Sequence, residues 1–232
     1  MDADTLALGP IWYVIFLLSI TCHEAAHALA AKLGGDMTAF HSGQVSLNPF
    51  PHIRREPFGT VLVPLISYVA SGFMIGWASA PYDPLWQRRH PKRAALMSLA
   101  GPAANFILVL IAAVIMYAGI SAGAFQLPRS ITFTSLIDAS SPGAAEGVAQ
   151  LVSVLFSLNL LLGTFNLLPV PPLDGFGALT LFASPGIAAK LDEWSQMRAF
   201  ALLGLVIAWR LFDYIYPPIF MTALQLLYAG MG

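Results

Sequence analysis

The sequence predicts an all-α integral membrane protein: a helical bundle of about four spanning helices, plus one apolar segment, about residues 58–79, that is re-entrant or a buried hairpin. Three observations carry this prediction. Of 232 residues, 57% are hydrophobic and only 10% are charged, with mean hydropathy +0.72, whereas a soluble domain carries about 25% charged residues. The charges are also excluded from long stretches. No Asp, Glu, Lys or Arg occurs in 57–82, 94–128 or 147–173, and Glu24 alone interrupts 5–31. Each stretch exceeds the roughly 20 apolar residues that a spanning helix needs. Finally, Gly and Pro punctuate the chain where these stretches end. This composition excludes a cytosolic enzyme, a nucleic-acid binder and a disordered chain, and the net charge of −1 creates no field that gathers polyanions.

The first apolar segment, about 8–33, stops at Lys32 and the Gly34-Gly35 pair, a helix-end signal. The acidic Met1-Asp2-Ala3-Asp4 start lacks the positive end of a secretory signal, so this segment is read as mature protein. A polar loop, 34–57, follows. The next segment, 58–79, holds Gly59, Pro64 and Ser71-Gly72, and 80–93 is basic, with Arg88, Arg89, Lys92 and Arg93. Segment 94–119 is expected to be interrupted at Gly101-Pro102. Residues 120–146 read as a polar loop. Segment 147–168 ends in Pro169, Pro171 and Pro172, which cannot continue a helix. A last segment starts near 199 and meets Pro217-Pro218, where a break is expected, leaving 219–230 as a short interfacial piece. Trp12, Trp77, Trp86 and Trp194 fall near segment ends, the position of membrane-interface aromatics. Cys22 is the one cysteine, so no intrachain disulfide forms.

Within the first segment stands His23-Glu24-Ala25-Ala26-His27. On a helix, positions i and i+4 share a face, so both imidazoles reach one metal ion while Glu24 lies beside them as a proton acceptor. With five His and four Glu, chance supplies H-E-x-x-H about 0.002 times in a chain of this length. Three ionisable groups at membrane depth cost several kcal/mol, and such groups are functional by default. A catalytic zinc site takes three protein ligands. The candidates for the third are His41, His52, His90, Cys22 and the few carboxylates. Cys22 points about 100° around the helix from His23. Asp174 stands out, because it follows the Pro-rich run at the end of 147–168 and precedes Gly175. From the residues alone, Asp174 remains open between metal ligand and cap of the next helix.

Three blocks together give a family resemblance: His23–His27, Gly101-Pro-Ala-Ala-Asn105, and Asn166-Leu-Leu-Pro-Val-Pro-Pro-Leu-Asp-Gly175. The chain resembles the site-2 proteases, intramembrane zinc metalloproteases, over most of residues 15–180. Ser46-Leu-Asn-Pro-Phe-Pro-His52, Pro57-Phe-Gly-Thr60 and Gly76-Trp-Ala-Ser-Ala-Pro81 resemble the short single-domain subgroup, with no room for a PDZ domain between the blocks. The resemblance implies one Zn2+ per chain held by His23, His27 and Asp174, with Glu24 as general base. It implies a single membrane-embedded metalloprotease domain over 1–232, with a catalytic core at about 8–180 and a C-terminal helix at about 199–230. The implied reaction is hydrolysis of a peptide bond within or near a transmembrane segment of a membrane protein. Asn105 and Asn166 are then candidates to bind a strand-like substrate, although helix–helix hydrogen bonds serve such residues equally well. His52 is a candidate to orient a ligand or guard water access, set against a plain solvated loop histidine. Two readings from other classes remain: a metal-ion transporter using the same ligands, and a catalytically silent membrane scaffold or chaperone.

The metal site constrains the path. For Asp174 to meet His23 and His27, segments 8–33 and 147–168 must cross in the same direction. One crossing, 94–119, then separates them, and 58–79 must return to the face it left. Residues 32–93 hold seven of the eleven Lys and Arg, so the positive-inside rule makes that face cytoplasmic and puts the site in the cytoplasmic half of the cell membrane. The basic clusters suit anionic lipid headgroups. Arg210 and Asp213 are read as a structural i, i+3 pair.

Overall fold

In the computed structural model, which describes residues 6–231, the charge-poor stretches become helices; the acidic start at Met1–Asp4 lies outside the described residues. Helix α1 spans Gly9–Gly34 with Pro10 in its first turn, and Gly35 closes it in a left-handed conformation (φ 99°) that glycine adopts without strain. Two short helices, α2 (Thr38–His41) and α3 (Pro49–Arg55), shape the following loop. The Asn48 side chain caps α3 by accepting from the Phe50 amide at 3.0 Å. Then come α4 (Phe58–Ser71, its first turn in the wider π form), α5 (Pro84–Arg89) and α6 (Pro91–Ser121). The two-residue strands β1 (Phe125–Gln126) and β2 (Asp138–Ala139) pair antiparallel. Helices α7 (Ala144–Asn166), α8 (Asp174–Ala178), α9 (Pro185–Ser195) and α10 (Arg198–Ala229) complete the chain.

Four of these helices, α1, α6, α7 and α10, are long and apolar enough to span a membrane. The 14-residue α4 rises only about 21 Å, short of the roughly 30 Å hydrocarbon core. It forms one arm of a hairpin whose other arm is extended. The Ile75 amide donates to Ser67 Oγ (2.9 Å) and the Trp77 amide to Gly59 O (3.1 Å). The arms touch backbone to backbone where Gly59 meets Trp77 and Gly76 meets Gly59, so a Cβ at either glycine clashes with the opposite arm. The hairpin's two ends are joined by Ser79 Oγ donating to Glu56 (2.7 Å). The segment therefore returns to the side it left.

The directions of the core helices follow from pairs of contacts. Along α1, Ser19 meets Asn159 and His23 meets Asp174, so α1 and α7 run parallel. His23 meets Asn105 while His27 meets the Met97 carbonyl, so α6 runs antiparallel between them. Outer faces of α6 and α10 expose Ile107, Leu110, Val114, Leu202 and Val206, as lipid-facing helices do.

Four expectations need correction. Helix α6 is not interrupted at Gly101-Pro102; proline removes one donor but leaves the neighbouring turns bonded. Helix α10 likewise continues through Pro217-Pro218 to Ala229. In lipid, breaking a helix strands backbone groups that water cannot satisfy. The 120–146 loop is not simply polar: Leu136 and Ile137 are fully buried, and Tyr228 Oη donates to Leu136 O at 2.7 Å. Trp12 and Trp86 are core residues rather than interface anchors. Trp12 stacks on Phe133, and Trp86 Nε1 donates to Gly34 O at 3.0 Å.

Candidate active site

His23, Glu24 and His27 are buried on the inward face of α1, near its C-terminal end. Each imidazole is aimed by its Nδ1. His27 Nδ1 lies 2.7 Å from Met97 O, and His23 Nδ1 lies 2.6 Å from Asn105 Oδ1. A carbonyl only accepts, so His27 carries its proton on Nδ1 and turns the Nε2 lone pair inward. Opposite them the proline-rich turn delivers Asp174 at the first position of α8. Its carboxylate lies 3.0 Å from His23 Nε2 and 3.3 Å from His27 Nε2. Asp174 makes no capping hydrogen bond, and Leu173 is the residue at the cap. The cap reading of Asp174 therefore fails. Gly175 is required because a Cβ there would run into the Leu167 and Leu168 carbonyls.

These atoms test for a cation. The two Nε2 atoms are 2.9 Å apart, and Asp174 Oδ2 is buried without a hydrogen-bond partner. Acceptors so crowded repel one another unless a positive charge sits among them. A tetrahedral ion with bonds of about 2.0–2.1 Å sets its ligands about 3.3 Å apart, close to the observed 2.9, 3.0 and 3.3 Å. Gly101 on α6 leaves the room: a Cβ at that position would strike both Nε2 atoms. Glu24 joins the two histidines within 4.8 Å. Asp174 approaches both imidazoles more closely than that limit, so the residues fit a three-ligand cation site with Glu24 beside it.

The site opens into a cavity of about 1400 Å³. Its walls come from α1, the extended arm 73–80, α5, the start of α6, the end of α7, α8, α9 and α10. Asn166 lines it, held by Nδ2 donating to Leu162 O at 3.0 Å. Asn105 does not line it; fully buried behind His23, it donates to Asn159 Oδ1 at 2.8 Å. His52 is neither solvated nor at the cavity. It is buried, with Nε2 3.0 Å from Ser46 O, and closes its own loop. Arg210 and Asp213 form no ion pair among the described residues, and Asp213 lines the cavity instead. In the cavity wall, the buried Asp192 carboxylate accepts from Gln87 (2.9 Å) and Arg88 (2.8 Å), tying α9 to α5. Reading the sequence missed Gly101 as a cradle and Asn159 and Ser19 altogether. The available signal was an amide, Asn159, inside the charge-free stretch 147–173.

The profile described as Peptidase family M50 matches residues 11–209. The chain belongs to this family. Among curated relatives, it is 33% identical over 189 residues to "Putative zinc metalloprotease YwhC" of Bacillus subtilis, covering 81% of this chain and 76% of that one. It is 29% identical over 191 residues to "Putative zinc metalloprotease Rip2" of Mycolicibacterium smegmatis, covering 81% of this chain and 64% of that one. The Rip2 of Mycobacterium tuberculosis is 28% identical over 193 residues, with 83% and 65% covered. The chain thus spans under two thirds of the mycobacterial relatives and about three quarters of the Bacillus one. No solved structure gives a significant match. Membership of M50, the site-2 protease family, makes the chain a membrane-embedded peptidase, and the converging His23, His27 and Asp174 occupy its cavity.

Proposed function

We propose that the protein is an intramembrane zinc endopeptidase that hydrolyses a peptide bond within or near a transmembrane segment of another membrane protein. The carrying observation is the convergence of His23 Nε2, His27 Nε2 and the Asp174 carboxylate within 2.9–3.3 Å at a cavity among spanning helices. Two imidazoles and a carboxylate suit zinc, one ion per chain, and the names of the relatives support that metal. Zinc bound there supplies Lewis acidity to the scissile carbonyl and lowers the pKa of water.

The protein's own residues do the rest. Glu24 takes a proton from the attacking water and returns it to the departing amine. The Nδ1 donors to Met97 and Asn105 keep both imidazoles facing inward. Helical substrate carbonyls are bonded to their own chain, so the substrate must unwind locally before attack. Asn166, its Nδ2 occupied by Leu162 O, offers Oδ1 to a substrate amide exposed by that unwinding. The parallel run of α1 and α7, together with the seven Lys and Arg of residues 32–93, supports an active site in the cytoplasmic half of the cell membrane.

The test is metal content and peptide cleavage of detergent-purified protein, with a synthetic transmembrane peptide as substrate. Wild type is expected to carry about one zinc. Asp174→Asn loses both zinc and cleavage, whereas Glu24→Gln keeps zinc and loses cleavage. Zinc retained after Asp174→Asn, or cleavage retained after Glu24→Gln, overturns the reading. A wild type that carries zinc yet cleaves no such peptide favours a scaffold.

A further inference from the structure

On the side of His23 away from the cavity, polar side chains from three helices form a continuous hydrogen-bonded chain. His23 and Ser19 lie one turn apart on α1; Asn105 comes from α6 and Asn159 from α7. Ser19, Asn105 and Asn159 have no exposed surface. We infer that Asn159 and Ser19 are positioning residues, acting through Asn105, that lock His23 in the tautomer whose Nε2 lone pair faces the cation site; the inference rests on His23 being a metal ligand.

Two backbone carbonyls determine every orientation in this hydrogen-bonded chain. Ser19 Oγ donates to Ile15 O at 2.7 Å, so its oxygen is left to accept. Asn159 Nδ2 donates both to that oxygen (2.9 Å) and to Leu155 O (2.8 Å). A carbonyl cannot donate, so the nitrogen of Asn159 faces Ser19 and Leu155, and its Oδ1 faces Asn105. Asn105 must then present Nδ2 to Asn159 (2.8 Å) and Oδ1 to His23 Nδ1 (2.6 Å). That oxygen accepts only from a protonated Nδ1, which leaves Nε2 with its lone pair free.

His27 needs no such relay, because a fixed carbonyl, Met97 O, faces its Nδ1. His23 is faced by a side-chain amide that can rotate by 180°. A rotated Asn105 would set its Oδ1 against Asn159 Oδ1 and donate to an unprotonated His23 Nδ1. The His23 proton would then sit on Nε2, where the cation must bind. Asn159 makes that rotation unfavourable.

The deciding comparison is Asn159→Leu against Asn159→Asp, with Ser19→Ala, in the full chain purified in detergent. Leucine removes the acceptor that holds Asn105, whereas aspartate keeps an oxygen facing it. If the relay operates, Zn2+ affinity measured against a competing chelator falls about 10–100-fold in Asn159→Leu, the range for partners that orient a ligand, and stays within about threefold of wild type in Asn159→Asp. Ser19→Ala, with Leu155 O still anchoring Asn159, loses less than Asn159→Leu. A merely structural role gives the opposite order. An isosteric apolar side chain is then tolerated, and a buried carboxylate is the damaging change.

The second readout is nitrogen-15 NMR of histidine-labelled, metal-free protein, with His23 assigned by its loss in His23→Gln. Wild type and Asn159→Asp are expected to show His23 protonated at Nδ1, and Asn159→Leu a mixture of tautomers. A single Nδ1-protonated His23 in Asn159→Leu overturns the relay, as does a leucine variant that binds zinc better than the aspartate variant. Absence of zinc binding in wild type would instead overturn the metal reading, and the NMR comparison would still decide the relay.

Discussion

Replacing Gly101 by alanine separates the site from the fold that carries it. Gly101 lies inside α6, where alanine is favoured over glycine by about 1 kcal/mol. On fold-level grounds alone the change is therefore mildly stabilising. The structure predicts otherwise for the site. An added Cβ would stand 2.5 Å from His23 Nε2 and closer still to His27 Nε2. Non-bonded carbon and nitrogen need about 3.5 Å, so the imidazoles must retreat by about 1 Å. Metal constellations tolerate about 0.5 Å. Such a retreat also loosens the Nδ1 bonds to Asn105 and Met97, each worth about 1 kcal/mol, which offsets the helix gain. The expected result is metal-free stability within about 1 kcal/mol of wild type and Zn2+ affinity lowered at least 100-fold, about 2.7 kcal/mol. Thermal unfolding in the presence of a chelator measures the first quantity, and competition with a graded series of chelators the second. A Gly101→Ala protein that holds zinc as wild type does would show that the cation does not sit between the imidazoles and α6.

Other sites make further predictions. Gly175→Ala drives a Cβ into the Leu167 and Leu168 carbonyls, which cannot swing aside as a side chain can. It is expected to destabilise the turn by at least 1–3 kcal/mol, about the cost of overpacking, and to remove zinc with it; hydrogen exchange at residues 166–178 would report the loosening. Asp36 ties the end of α1 to the exit of the hairpin. Burial pushes its carboxyl up, but hydrogen bonds from the Thr38 hydroxyl and the Asp83 and Thr38 amides outweigh it and hold the carboxyl below its usual range. This stabilisation is fully present above the unfolded value of about 3.9 and is lost as pH falls through the lower folded value. Thermal unfolding between pH 6 and 3 should show that loss in wild type and a flatter profile in Asp36→Asn; equal profiles would refute it. Cysteines at Val45 and Arg88 should react with a membrane-impermeant thiol reagent from the same face, because the hairpin returns to the side it left. Labelling from opposite faces would refute the path.

The sequence made the spanning helices legible because charge exclusion is a property of the chain itself. A stretch with no ionisable residue needs no partner to declare its environment. The hairpin was legible for another reason: Asp174 could meet His23 only if 58–79 failed to cross. His23, Glu24 and His27 were legible because one helix turn puts them on one face. The breaks expected at Pro102 and at Pro217-Pro218 did not occur. The rule for proline in helices comes from water, where a broken turn finds other partners, and an apolar surrounding offers none. Asn105 was singled out with two readings, substrate contact and helix–helix hydrogen bonding, and its bond to Asn159 favours the second. A motif fixes which residues gather, not which face of the histidine each one meets.

Asn159 and Ser19 were out of reach for a deeper reason. Their function depends on the direction of hydrogen bonds across three helices, and that direction is set by Ile15 O and Leu155 O, main-chain atoms with no signature in the sequence. The proposed cation site is therefore built in two layers of different legibility. The inner layer, His23, His27 and Asp174, is chosen by side-chain chemistry and can be read from spacing. The outer layer is chosen by what those side chains must be prevented from doing, which for His23 is carrying its proton on the metal-facing nitrogen. At membrane depth, where no water supplies an alternative partner, the outer layer has to be made of protein. A fully satisfied buried amide beside a ligand histidine is then a requirement of the chemistry as much as of the packing.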